Sequence, residues 1–178
     1  PEDTKITLED VKKNFGAEVA SLVDGITKLG KLKYRGVERY IENLRKMFVA
    51  MAEDVRVMII KFADRTHNLE TLDALPPQKQ YRIALESLEI YAPIAGRLGM
   101  DEIKSDLEDL SFKFVYPKEY QRIKKLHEEK IKGKEENVRT VQKITEEELS
   151  KTGIKILEIS WRNKRLYSFY NKLLRKDN

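Results

Sequence analysis

The sequence predicts an all-α domain followed by the opening of an α/β unit, on three observations. Apolar residues recur at three- and four-residue spacings through most of the chain, the signature of helices with one buried face. Breakers are few, with 8 glycines and 5 prolines among 178 residues. Beyond Gly153 the period shortens to two over IKILEIS, which is strand-like. A charged fraction of 37% beside a hydrophobic fraction of 40% fits a folded helical protein rather than a disordered one.

Thr7 and Asp10 open the first helix as a capping box in which aspartate replaces the usual glutamate. Helical segments over LEDVKKNF and AEVASLVDGITKL follow, punctuated by Gly16 and Gly30, and KLKYRG reads as a loop. RYIENLRKMFVAMA returns to helical spacing through Ile41, Leu44, Met47, Phe48 and Met51. From Asp54 a helix is expected to run to about Leu75, where Pro76 and Pro77 stop it, Pro77 serving as the first-turn proline of the next helix. That next segment, QKQYRIALESLEIYAPIAGRLGM, is helical with a break or kink at Pro93. DEIKSDLEDLSFKFVY places Ile103, Leu107, Leu110 and Phe114 on one face.

After Pro117 the chain becomes strongly charged. Its sparse apolar residues, among them Ile123, Leu126, Val138 and Val141, predict one or two exposed connecting helices jointed at Gly133. Ile154 and Ile156 mark a strand, and KRLYSFYNKLLRK a basic helix. A lone strand cannot satisfy its backbone groups, so residues from about 153 onward read as the opening of a second, α/β domain.

The absence of cysteine excludes disulfides, thiolate metal sites and cysteine nucleophiles. No apolar run approaches the roughly 18 residues of a membrane span, and no signal-peptide pattern opens the chain, which predicts a soluble, cytoplasmic protein. The net charge of +5 and pI near 9.2 suit anionic partners, although the interleaved acidic residues make most of this charge solvated helix surface. The chain opens at Pro1, without methionine, inside PEDT, and is expected to be part of a longer protein.

The chemistry concentrates in KFADRTHNLETLDALPP, residues 61–77. Asp64, Asn68 and Thr71 fall within an arc of roughly 60° on one side of a helix. Extended upstream, the stripe meets Ile60 and Val57, so it is expected to start buried and turn polar, as in a helix whose end lines a cavity. Two readings stay open on pattern alone. Asp64 pairs with Arg65 or Lys61 while Asn68 and Thr71 bond to the helix end, or Asp64 ligates a metal with Asn68 and Thr71 facing a ligand beside it.

The string VRVMIIKFADRTHNLETLDALPPQKQYRIALESLEIYAPIAGRLGM, with VASLVDGITKLGKLKYR, ENLRKMFVAMA and IKSDLEDLSFKFVYPKEY, resembles the amino-terminal half of the RelA/SpoT homologue family. Members of that family make and destroy the alarmone guanosine tetraphosphate, ppGpp, in the stringent response. The resemblance covers nearly the whole chain, and ADRxHNxxTLDALP is its most specific part.

It implies an HD-type helical ppGpp hydrolase domain over residues 1–116, charged connecting helices over 117–152, and the start of a ppGpp synthetase domain over 153–178. The hydrolase would use Mn²⁺ to remove the 3′-pyrophosphate, held by a histidine, the His-Asp pair of an HDxxED motif, and the aspartate of ADRxHN. Asp64 is then a metal ligand, and Glu2 and Asp3 are the catalytic carboxylates that end HDxxED. Asn68 and Thr71 would contact the nucleotide, and Arg65 would support the site or its phosphates; His67 shares the motif without a ligand role. Because the histidine and the HD pair are expected upstream of Pro1, the chain alone is expected to be inactive. Gly96 stands where the family has the histidine of APxAHRLG, Thr66 where it has leucine, and Glu70 where arginine is common.

ISWRNKRLYSFYNKLLRK is similar to the ISGRPKHxYSIYxKM pattern of the family's synthetase, which transfers pyrophosphate from ATP to GDP or GTP with Mg²⁺. The resemblance makes Arg162, Lys164, Ser168 and Lys172 contacts to ATP phosphates; Trp161 and Asn163 replace the usual glycine and proline. Guanine nucleotides and ATP are the implied partners, with ribosome association of the parent a further expectation. His127 has no second ligand near it and reads as part of a solvated helix face. A reading of another class is a non-catalytic helical regulatory module that binds a nucleotide or an anionic partner.

Overall fold

The expected capping box forms. In the computed structural model, which describes residues 4–30, 37–132, 135–153, 156–161 and 163–175, the Thr7 N–H donates to Asp10 Oδ2 at 2.9 Å and the Asp10 N–H to Thr7 Oγ1 at 3.2 Å. Helix α1 (Leu8–Gly30) follows and is interrupted at Gly16, whose φ of 89° suits a residue without Cβ. The KLKYRG stretch lies outside the described residues. Helix α2 (Val37–Glu53) buries Met47 and Ala50, while Phe48, expected on the same face, is 37% exposed. One residue is about 100° of turn, and that step carries Phe48 past the edge of the buried stripe.

Helix α3 (Val55–Glu70) is capped by Asp54, which accepts from the Arg56 N–H at 2.9 Å. It ends at Glu70 rather than near Leu75. The Thr71 N–H and hydroxyl both donate to the His67 carbonyl, at 3.2 and 3.1 Å, and close the last turn. A 3₁₀ turn (Leu72–Ala74) buries Leu72 and leads to Pro77 at the first position of α4 (Pro77–Glu86), as expected.

α4 runs on through a π-helical turn (Ser87–Tyr91) into α5 (Ala92–Arg97). The turn is how the chain absorbs Pro93. Proline has no N–H for the carbonyl four residues back, and its ring crowds that carbonyl. A π turn shifts the neighbouring bonds to five-residue separations, as in Ala92 N–H to Ser87 O, and opens the room. Gly99, with φ 73°, then ends α5 in a Schellman motif: Met100 N–H bonds Ala95 O at 2.9 Å and Gly99 N–H bonds Gly96 O at 3.1 Å.

Helix α6 (Asp101–Val115) is the hub, packing on α3, α4, the π turn and α5. Leu107 is fully buried there, with Ile103, Leu110 and Phe114 packed against the same core as Met58, Phe62, Leu69, Leu72, Leu88 and Tyr91. A second side of α6 buries Phe112 among Tyr116, Tyr120, Tyr167 and Tyr170. The single-face reading of α6 missed this cluster.

The charged stretch forms two helices, α7 (Pro117–Ile131) and α8 (Glu135–Lys151); Gly133 lies outside the described residues. Ile123 of α7 is fully buried, so α7 is more than an exposed connector. Helix α9 (Leu166–Leu174) folds back onto α6 and α7. The expected α/β opening is not seen among the described residues. Residues 156–161 are irregular, and the described residues contain no strand. With no second strand beside it, the segment lies along α8 instead, where Ile159 O accepts from Gln142 Nε2 at 3.4 Å. No helix among the described residues is long and apolar enough to cross a membrane.

Candidate functional site

Helix α3 is embedded on one side and open on the other. Met58, Phe62 and Leu69 face the core, and Val57 is covered by α1. Ile60, expected to begin the stripe buried, is 41% exposed. Asp64 and Asn68 share this open face: Asn68 Nδ2 donates to Asp64 Oδ1 at 3.2 Å, and Lys61 Nζ lies 3.0 Å from Asp64 Oδ2. The Asp64 side chain is 48% exposed, that of Lys61 only 14%. Lys61 therefore lays its stem along the protein and brings its charge up beside the carboxylate.

Of the two readings left open by pattern, the structure has the local pairing of Asp64 with Lys61. It also joins Asp64 to Asn68 across one turn of the same helix. Thr71 is turned onto the helix end, where its hydroxyl donates to His67 O. Arg65 points the other way, toward the core, where Nη2 meets Glu86 Oε1 at 2.5 Å and Cζ lies 4.2 Å from the centroid of the Tyr91 ring.

Glu2, Asp3 and Arg162 lie outside the described residues. Among the described residues no group of three or more histidine, cysteine, aspartate or glutamate side chains is placed to hold a metal. Asp64 fits a metal as one carboxylate ligand, and the approach of the Lys61 ammonium shows that its Oδ2 already receives a cation. One carboxylate is not a metal centre, so the described residues are at most one wall of one. At Gly96, a Cβ would stand 2.9 Å from Lys104 Cδ, so the stem of Lys104 fills the space a side chain would need.

Lys164, Ser168 and Lys172 sit on or just before α9. Lys164 and Lys172 are exposed and Ser168 is half-buried. The segment is fastened to the rest of the fold by contacts the sequence did not announce. Arg165 Nη2 pairs with Asp106 Oδ1 at 2.7 Å, and the Tyr167 N–H donates to Asp109 Oδ1 at 2.9 Å. A carboxylate from α6 thus caps the positive end of α9. Burial pushes the Asp109 carboxyl above its ordinary range, against the opposing pull of the Tyr167 N–H and the Arg165 guanidinium.

His127, expected on a solvated face, has Nε2 2.6 Å from Lys164 O and packs edge-on against Phe169. A carbonyl only accepts, so Nε2 carries the proton and donates. Thr66, Glu70, Asp106, Asp109, Lys113 and Arg165 line a cleft of about 430 Å³ between α3, α6 and the start of α9. Acidic residues three apart on α6 and the arginine in KRL were the available signals, but their pairing depends on how α9 folds back.

The family model described as HD domain matches residues 1–101. Over 177 residues, 99% of this chain and 23% of the relative, it is 46% identical to a probable guanosine-3′,5′-bis(diphosphate) 3′-pyrophosphohydrolase of Synechocystis. It is 45% identical to the bifunctional (p)ppGpp synthase/hydrolase SpoT of Escherichia coli, over 99% of this chain and 25% of that protein. To a GTP pyrophosphokinase of Myxococcus xanthus it is 45% identical over 97% of this chain and 23% of the relative. The chain spans about a quarter of the length of these curated relatives.

Proposed function

The chain belongs to the HD domain family, and from that premise we propose that it supplies one wall of a pyrophosphohydrolase site acting on guanosine 3′,5′-bis(diphosphate). The observation that carries the reading is the Asp64–Asn68 pair on the open face of α3, within the segment ADRTHN. The similarity to relatives named for that hydrolysis supports it.

In this reading Asp64 is one ligand of Mn²⁺. The ion would make bound water acidic and polarise a phosphoryl oxygen. The protein's share of the work is positional. Asn68 holds one oxygen of Asp64 and Lys61 the other, which fixes the carboxylate's orientation. Glu2 and Asp3 are the carboxylates that would take the proton of the attacking water. Asn68 and Thr71 address the nucleotide. The water would attack the phosphorus bonded to the ribose 3′-oxygen; that P–O bond breaks, the 3′-oxygen leaves and takes up a proton to become the 3′-hydroxyl of GDP, and the water oxygen departs in pyrophosphate.

The wider proposal divides the chain into a hydrolase part, 1–116, connecting helices, 117–152, and the start of a synthetase part, 153–178. There Arg162, Lys164, Ser168 and Lys172 would bind ATP phosphates, with Mg²⁺ and a GDP or GTP acceptor. Cytoplasmic location and ribosome association of the parent belong to the same proposal. The chain on its own is expected to be inactive toward ppGpp; the alternative reading is a non-catalytic helical module that binds a nucleotide or an anionic partner.

The test is Mn²⁺-dependent release of pyrophosphate from ppGpp by the product of the open reading frame that encodes this chain. Asp64→Ala should abolish it. Full activity in that variant removes Asp64 from the site.

A further inference from the structure

Arg65 breaks the pattern of the helix face it occupies. At about 100° per residue, positions 58, 62, 65 and 69 share one side of α3, and Met58, Phe62 and Leu69 there are fully buried. The remaining position carries a guanidinium whose side chain is 11% exposed, bonded to a Glu86 side chain that is 9% exposed. Its Cζ lies over the ring of Tyr91, 4.2 Å from the centroid, and Tyr91 is itself buried and meets Phe62 edge-on at 6.5 Å. Glu86 is the last residue of α4 and Tyr91 the last of the π turn. The guanidinium therefore reaches both ends of that turn.

Stability does not account for this arrangement. Replacing a buried ion pair by apolar side chains of similar size is often neutral or stabilising. What a guanidinium adds is direction, because bonding in its plane and stacking on its face together admit one orientation, whereas an apolar side chain can slide. Asp64 is the neighbouring residue. With the carboxylate about 5 Å from the helix axis, a 20° rotation of α3 displaces it by about 2 Å. A site of this kind tolerates about 0.5 Å.

We propose that Arg65 and Glu86 are a positioning pair that fixes the rotation of α3 against the π turn, so that Asp64 and Asn68 are presented together. The catalytic consequence rests on the pyrophosphohydrolase reading; the structural claim does not.

The experiment replaces both charges, Arg65→Met with Glu86→Leu, in the product of the open reading frame that encodes this chain. The melting temperature should stay within about 5 °C of the parent, in keeping with a near-neutral exchange. A crystal structure should show α3 turned about its axis. The Mn²⁺ concentration for half-maximal activity should rise, and kcat should fall, by about tenfold or more, with KM for ppGpp unchanged. Arg65→Lys, which keeps the charge and loses the fork, should restore only part of this, and it carries the same test if the double variant fails to fold. An unturned α3 with an unchanged Mn²⁺ requirement overturns the proposal, and so does a rise in KM alone, which would mean direct contact with substrate. If the parent releases no pyrophosphate, the hydrolase reading alone fails, and the orientation of α3 in the variant still decides the positioning claim.

Discussion

Two glycines should answer the same substitution with opposite signs. A Cβ added at Gly25 would stand 2.9 Å from Val57 Cγ2 and 3.5 Å from Cγ1. Comfortable carbon contacts begin near about 3.5 Å, so something must move by roughly half an ångström. Val57 is buried and has essentially one χ1 rotamer in a helix, so α1 must lift from α3. Overpacking of this kind costs about 1–3 kcal/mol, against a helix-propensity gain of about 1 kcal/mol for glycine to alanine. Gly25→Ala should therefore destabilise by about 1 kcal/mol. At Gly96 the same 2.9 Å contact is with Lys104 Cδ, and the ammonium of that lysine is 3.8 Å from Glu108. A lysine stem swings aside at little cost, so Gly96→Ala should stabilise by about 0.5 kcal/mol. Urea titration followed by far-ultraviolet circular dichroism, with unchanged m-values, reads both. In a Val57→Ala background the Gly25→Ala change should turn neutral or stabilising. Like signs for the two single variants, or a Gly25→Ala penalty that persists without the valine methyls, would refute the reasoning.

Phe112→Ala should cost about 3–5 kcal/mol and flatten the near-ultraviolet tyrosine signal, because it empties the cluster that seats α9; a loss under 1 kcal/mol would mean α9 is held by its polar contacts. Asp109→Ala should cost about 1 kcal/mol through the lost cap, and Asp109→Asn less, since an amide oxygen can still accept from the Tyr167 N–H. Asp109 also sets a pH signature. Its carboxyl is raised in the folded chain, so the native state binds that proton more tightly than the unfolded one. Its contribution is then greatest in acid and is lost as pH climbs from the ordinary carboxylate value through the raised one. The stability of the parent minus that of Asp109→Asn should fall across that window and be level above it, and a rise would contradict the burial that causes the shift.

What was legible in the sequence was mostly local. The Thr7–Asp10 box, the break at Gly16, the restart at Pro77 and the pairing of Asp64 with Lys61 follow from residues within one or two turns of each other. The strand expected from Ile154 does not appear over the described residues 156–160, because a strand is a property of two segments and these residues meet no second strand among the described ones. Phe112 and Ile123 were misjudged for a related reason. Phe112 is covered by α9 returning to α6, and Ile123 lies on a helix that packs on both α6 and α9, and no spacing rule within a helix contains those contacts. Arg65 pairs with Glu86 on another helix, across a core that periodicity does not resolve.

The π turn at Ser87–Tyr91 amounts to one supernumerary residue set into a helix. Residues before it and after it therefore keep different helical clocks, offset by about 100°. The offset leaves Ala92, Ile94 and Ala95 of α5 all buried. It also makes this turn the place where the rod could lose a residue with its backbone bonding intact, at the price of turning one end of the helix against the other.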